Sequence, residues 1–568
     1  MTVRAIGRPR AFEAGPLPVP DTMSSTTVPK DGFDALEREI IDHLFRLQPS
    51  YAVGLGLHEY DGRLPDLSKA ATDAWMRAAD ELLVRLSAVP RESLLPPPRR
   101  TDALLLKLLL ESPLFDLRSV SDLERNPMNY LGLASLTAYL ARDYAPAGKR
   151  VEAIVGTLAG VPRVLRDGRD RLRSPLPRPF VDLSLSIGSG LPSHFAEAEQ
   201  FAAGVHLADE VRPARVEAEA AVGEFLAWLR DVELPRATPD FALGPARFQR
   251  LLYVREGIEE PFEELRRAGS VDLARNQKRL EEIARKENRT VDQLLSEIGE
   301  SRSTAAELIP TARSFVEETR RFVEEHRLVT IPPEARCRVE ETPVWGRALS
   351  TASMNPPGPF DQTSPEGVYY VTPVDPKWTE KQQEEWLRSL NRPILRNTTV
   401  HEVYPGHYLQ FLHFRRASGS LARKVYLSPS FVEGWAHYTE QLAVENGLGR
   451  ESPLAEVAQI HDALLRNVRL LVAIGLHTGG MTLETATELF QKEAHMERLP
   501  AEREAIRGTF NPEYFCYTLG KLAILKARSR VLATAFGGDL RSFHDTLLGL
   551  GCPPVGLLEA LLTGSQAS

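Results

Sequence analysis

A mainly helical fold carrying a small β-sheet is the architecture the sequence predicts, and three observations predict it. Apolar residues recur at helical spacing over most of residues 33–327 and again from 379 onward. Between these stretches, residues 328–374 change character, with short β-branched and aromatic runs set among prolines. No Gly/Ser linker or low-complexity tract divides the 568 residues. One large body is therefore expected over 31–568, with a helical scaffold lobe over 31–327 and a second part, 328–568, holding the sheet and further helices.

Taken in order, the residues before the body, Met1 to Lys30, combine arginines and prolines without an apolar run of signal-peptide type, and read as a disordered or loosely attached extension. Periodicity predicts helices over 33–47, 68–88, 101–113, 131–142, 147–170 and 193–232. The pattern continues through 245–327, where the charges of Arg275 to Glu300 fall at the i,i+4 spacing of solvated helical faces. Strands are expected at Leu328 to Ile331, Cys337 to Glu341 and Gly367 to Val371. Helices then resume at 379–391, 395–416, 428–446, 452–478, 482–495, 512–535 and 553–563.

Composition narrows the class. A net charge of −8 and a pI near 6.0 argue against a general nucleic-acid-binding surface. No uninterrupted apolar stretch reaches the length that spans a bilayer, so no membrane partner is expected. Three cysteines, Cys337, Cys516 and Cys552, are odd in number, widely separated and free of CxxC spacing. They suit a reduced, cytoplasmic protein better than a disulfide framework. Oligomeric state is left open.

The run His401-Glu402-Val403-Tyr404-Pro405-Gly406-His407 begins like the HExxH motif of zinc peptidases and then places proline where the second histidine belongs. In HExxH, histidines four residues apart project from one helical face onto Zn²⁺, and the glutamate activates water. Here the second histidine comes six residues later, roughly 120° around an unbroken helix from the first. The sequence contains a means of correcting this. Pro405 removes a helical hydrogen bond and Gly406 tolerates unusual backbone angles, so a bulge or break near Tyr404 to Gly406 could swing His407 back toward His401.

Glu433, His437 and Glu440 form a second cluster, at i, i+4 and i+7 on one helical face. Glu433 follows His401 by 32 residues, an interval like that of zinc peptidases whose third ligand is a glutamate on a later helix. One Zn²⁺ held by His401, His407 and Glu433 is thus expected, with a position open for water as catalytic sites require. Glu402 is the expected general base. His437 and Glu440 would support the ligands or touch substrate. Val368 to Val371, with Tyr369, is a candidate edge strand for an extended substrate. Tyr404, Gln410, His413 and Arg528 are further candidates, Arg528 as a bidentate partner for a terminal carboxylate.

Four segments resemble the bacterial DUF885 family. They are GLGLHEYDGRLPD from Gly54 to Asp66, HEVYPGHYLQ from His401 to Gln410, EGWAHYTE from Glu433 to Glu440, and YTLGK from Tyr517 to Lys521, within a likeness spanning about 33–560. The resemblance implies a zincin-like helical metallohydrolase related to carboxypeptidase Taq, with a deep cleft and the small sheet beside the metal-site helix. It also implies Tyr517 as the donor to a developing oxyanion. The function so implied is hydrolysis of amide bonds in short peptides, of carboxypeptidase or oligopeptidase type. The alternatives are a metal-dependent hydrolase of a non-peptide amide or small metabolite, and a metal-binding protein without catalysis. The presence of Glu402 weighs against the last.

Overall fold

The computed structural model describes residues 32–563, apart from 91–93, 95–97, 344–345, 348–349, 363–364 and 418. The expected extension over 1–30 lies outside the described residues. The fold is mainly helical with one three-stranded sheet.

Apolar residues collect in two cores. The first is built from the helices Gly32–Leu47, Lys69–Ser87, Pro98–Leu114, Ala147–Arg171, Leu191–Ala203 and Ala208–Trp228, and buries Phe45, Ile154, Phe195 and Val222 completely. The second takes in the chain from Leu243 onward, including the helices Pro245–Glu256, Phe262–Lys286, Val291–Glu300 and Leu308–Glu325. The cores thus divide near residue 240, and the charged helices before residue 327 pack with the C-terminal half.

Several boundaries differ from the periodic reading for identifiable reasons. The expected helix over 131–142 is instead a set of short turns, Met128–Leu131, Gly132–Ala134 and Thr137–Leu140, because the Leu136 amide donates to His194 Nε2 at 2.9 Å rather than to a helical carbonyl. The run over 193–232 breaks near Gly204, with His206 in the left-handed region at φ 62°. Helices Arg178–Gly188, Arg498–Phe510 and Leu540–Gly549 are additional to those expected.

Leu328 to Ile331 is not a strand. Its polar backbone groups are taken by side chains: His544 Nδ1 meets the Leu328 carbonyl at 2.7 Å, His413 Nε2 the Thr330 carbonyl at 2.8 Å, and the Thr330 amide donates to Asp545 at 2.9 Å. With those groups occupied, no ladder forms.

The sheet consists of β1 (Cys337–Glu341), β2 (Ala352–Asn355) and β3 (Gly367–Val371), in the order β1-β3-β2. β1 runs parallel to β3 with Cys337 opposite Gly367, and β2 runs antiparallel with Ala352 opposite Val371. This corrects one expectation. Val368 to Val371 is the buried central strand, hydrogen-bonded on both sides, and cannot offer an edge to a substrate. β2, which the sequence reading missed, is an outer strand of the sheet.

Among the described residues, no helix is long and apolar enough to cross a membrane. Cys516 and Cys552 are buried and Cys337 half-buried, all three as free thiols.

Candidate metal centre

The HExxPGH run occupies two helices with a bend between them. Asn391 caps the first, Arg392–Glu402, by accepting the Ile394 amide at 3.0 Å, and Pro393 sits in the first turn where its missing donor costs nothing. The helix ends as Val403 donates to Thr399 at 2.9 Å. The chain then doubles back, with Gly406 donating to the Val400 carbonyl at 3.0 Å, and a second helix runs His407–Arg416. A β-carbon at Gly406 would lie 1.8 Å from the His401 carbonyl oxygen, so only glycine fits the return. Trp435 locks the bend from the next element by donating its indole N–H to the Pro405 carbonyl at 2.9 Å.

The third arm is the helix Pro429–Glu445. Ser428 caps it by accepting the Phe431 amide at 2.9 Å. The buried Glu256 carboxylate accepts the Ser430 amide at 2.9 Å and the Ser428 hydroxyl. Glu256 is pushed up to about 7 by burial. On its far side this helix meets Cys516–Ala535 with no side chain between them: a β-carbon on Gly434 would lie 2.3 Å from Gly520 Cα, and one on Gly520 would lie 1.7 Å from the Ser430 oxygen. That approach carries Tyr517 to within 6.4 Å of the His401 ring, centroid to centroid and inclined 26°.

These elements bring His401, His407 and Glu433 together, with one potential ligand atom from each inside a 4.8 Å span. Glu433 Oε2 stands 3.5 Å from His401 Nε2 and 3.5 Å from His407 Nε2. The imidazole planes cross at 86°. Two atoms bonded at about 2.0–2.1 Å to one tetrahedral ion lie roughly 3.3–3.4 Å apart, so the two carboxylate–imidazole distances are compatible with ligands of one ion. Glu433 Oε2 is buried and has no hydrogen-bond partner among the described residues. An unpartnered carboxylate oxygen facing two imidazole nitrogens is a donor set that could hold a metal ion.

Around the three stands a polar network. His401 Nδ1 contacts Glu440 Oε1 at 2.6 Å, so Nε2 is the nitrogen turned toward Glu433. Glu440, fully buried, also meets His437 Nδ1 at 3.2 Å, Asn397 Nδ2 at 3.3 Å and the Arg466 guanidinium at 3.1 and 3.2 Å. Asn397 donates in turn to Asp462 at 2.7 Å. Gln410 lies 3.4 Å from His407 Nδ1 through Oε1 and donates to the Phe431 carbonyl through Nε2 at 3.2 Å, joining the second motif helix to the Glu433 helix.

The electrostatics follow from these contacts. Burial opposes charge on His401, yet Glu433 and Glu440 outweigh it and lift its pKa to about 10. Glu433 is held well below the usual carboxylate range by the two histidines, against the effect of burial. Glu440 is held low too, by Arg466 and His437, again against burial. Burial and the nearby Lys521 ammonium push His437 down to about 3. Burial raises Glu402, offset in part by the charges of His401 and His407 and by the nearby Met354 backbone. Tyr517 is raised by burial and by the charge of Glu433.

Other residues singled out in the sequence lie elsewhere. Tyr404 is buried edge-on to Tyr408 at 5.7 Å in the second core. Tyr369 is fully buried, its hydroxyl 3.4 Å from Thr399 at the back of the first motif helix. Arg528 lies eleven residues beyond Tyr517, about 16 Å along the helix, and donates to Glu445 and to Tyr438, each at 3.3 Å. Asn397, Asp462 and Arg466 were missed. Asn397 one turn before His401 was the available signal, an amide in a helix interior that needs a partner. Cavities of about 380 and 320 Å³ open along the Phe262–Lys286 helix, and none of the three clustered residues lines them.

A mainly helical chain with two imidazoles and a carboxylate converging from a bent helix and its neighbour defines the class. The chain belongs to the DUF885 family, described as bacterial protein of unknown function, whose model matches residues 49–562. Its fold is similar to that of a candidate lipoprotein of unknown function from Shewanella oneidensis, at 24% identity and TM-score 0.78, covering 94% of this chain and 100% of that one. A candidate lipoprotein from Colwellia psychrerythraea is similar at 16% identity and TM-score 0.77, with 94% and 98% covered. Likeness at these identities establishes the fold. No curated protein matches.

Proposed function

We propose that this chain is a zinc-dependent, zincin-like hydrolase that cleaves amide bonds in short peptides entering a cleft between the motif helices and the β2 edge. The orphaned Glu433 oxygen, 3.5 Å from both imidazole nitrogens, is the observation that carries the reading. His401, His407 and Glu433 would hold the ion, which when bound supplies Lewis acidity and an acidified water.

The remaining chemistry belongs to the chain. Glu402 accepts the proton of the attacking water and returns it to the departing amine; its burial-raised pKa suits both transfers. Tyr517, kept protonated by burial and by Glu433, donates to the developing oxyanion. Glu440 holds His401 in the tautomer that presents Nε2.

Metal analysis of the purified protein and of His401→Ala, His407→Ala and Glu433→Ala tests the site. Stoichiometric zinc is expected in the parent, and affinity about a thousandfold or more lower in each variant. Glu402→Gln is expected to keep zinc while losing on the order of 10²–10⁴ in turnover of a peptide library. A parent that binds no zinc ends the reading, and a fully active Glu402→Gln removes the base.

A further inference from the structure

We infer that Arg469 and Arg507 form a carboxylate-binding subsite beside Tyr517, so that the substrate carries an anionic group within about three residues of the scissile bond. The inference rests on the hydrolase reading and adds a substrate class to it.

The Leu454–Thr478 helix turns Asp462, Arg466 and Arg469 toward the centre at i, i+4 and i+7. Arg466 and Arg469 both stack on Tyr517, their guanidinium carbons 5.5 and 5.3 Å from the ring centroid. They serve different ends. Arg466 is committed to Glu440, and through it to His401. Arg469 binds Glu504 bidentately, Nε at 2.8 Å and Nη2 at 2.7 Å, which leaves Nη1 without a partner among the described residues.

Glu504 is shared. Arg507, one turn further along its helix, comes no nearer to it than 4.0 Å, and its side chain is 36% exposed. Two guanidinium groups thus face one carboxylate, leaving one positive charge unmatched in that cluster. The charge of Arg507 still reaches Tyr517. The Tyr514 hydroxyl, under the influence of Glu504, Arg469 and Arg507, is buried with no partner among the described residues. A second carboxylate is the group that would complete this arrangement, because guanidinium forks match it in shape and charge.

The position says where on the substrate that group lies. Tyr517 is 6.4 Å from the His401 ring and Arg469 is 5.3 Å from Tyr517, so the Arg469 end of the subsite stands no further from the metal ligands than about three residues of extended chain. A C-terminal carboxylate and an aspartate or glutamate side chain supply the same chemistry.

The test compares zinc-loaded protein on matched peptides. One set has the C-terminus free or amidated, and another, all amidated, carries Glu or Gln at each of the three positions after the cleaved bond. The parent is expected to prefer the carboxylate-bearing member by about tenfold or more in kcat/KM, mainly through KM. Arg507→Gln is expected to bring that ratio close to one, whereas Arg498→Gln, on the same helix but paired with Glu484 and Glu502, keeps it. A preference confined to the first set assigns the terminal carboxylate, and one in the second set the side chain. A ratio near one in the parent, or one unchanged in Arg507→Gln, overturns the subsite.

Calorimetric binding of the same free and amidated peptides to Glu402→Gln and to Glu402→Gln/Arg507→Gln separates the two readings. Arg507-dependent binding without cleavage by the parent ends the hydrolase reading and keeps the subsite. Cleavage indifferent to carboxylates does the reverse.

Discussion

In the first core, buried Glu37 and Asp102 both tie down one short segment, whereas the second core links its buried polar groups to one another. Glu37 accepts the Ala422 amide at 2.9 Å and Asp102 takes the Arg423 guanidinium at 2.6 Å, both fastening the short helix Leu421–Val425. In the second core, Glu440 alone touches His401, His437, Asn397 and Arg466. Close behind it, Lys521, fully buried, donates to Asp272 at 2.6 Å, Asp272 accepts from Asn467, and Asn467 accepts from Asn276. A lone buried tie can be exchanged for apolar packing at little cost. A connected network fixes the orientation of every member, and that is what a ligand imidazole needs.

The comparison breaks most sharply at the glycine contact that positions the network. Gly520→Ala drives a methyl into the Ser430 carbonyl, which is backbone and cannot rotate away. Unfolding in denaturant is expected to show a loss of about 3 kcal/mol or more, with weakened zinc binding. A loss below about 1 kcal/mol would mean that the two helices part easily. Next in size, Glu440→Gln is expected to fold normally and bind zinc roughly 10–100-fold more weakly in chelator competition. Unchanged affinity would deny Glu440 its hold on His401.

The smallest effect belongs to the first core. Burial pushes Glu37 up to about 7 from 4.5. Between those values the native carboxyl keeps a proton that the unfolded chain has released, so stability falls as pH rises from about 4.5 to 7, by about 2–3 kcal/mol. Glu37→Gln should flatten that decline and leave zinc affinity alone. A parallel decline in the variant would place its origin elsewhere, with Glu256 as the next group to replace.

Much of the centre was legible because its chemistry is local. Pro405 and Gly406 announce a break, and a break is the one way to turn His407 toward His401. Glu433, His437 and Glu440 share a face by spacing alone. β3 was readable from VYYV, in which β-branched and aromatic residues concentrate, and β1 from its place among proline-rich turns. β2 was not, because Ala-Ser-Met-Asn has neither alternation nor β-branched residues, and it is a strand only through pairing with β3. Leu328 to Ile331 misled for the opposite reason: a strand-like run whose backbone is claimed by His413, His544 and Asp545. Arg466 and Arg469 looked like ordinary helical charges, since only tertiary packing sets them against Tyr517. Arg528 was expected as a bidentate partner for a terminal carboxylate, but helical rise carries it to Glu445.

The hydrogen bond from Trp435 to Pro405 gives the bend an optical handle. The indole is fully buried, held at its nitrogen by the loop that redirects His407, and flanked edge-on by His544 at 5.4 Å. Its emission, separable from that of the other five tryptophans by a Trp435→Phe subtraction, follows the carbonyl of the residue on which the turn depends. Loading and stripping of the proposed ion is therefore expected to show as a change in colour and intensity from inside the protein, with no label and no substrate.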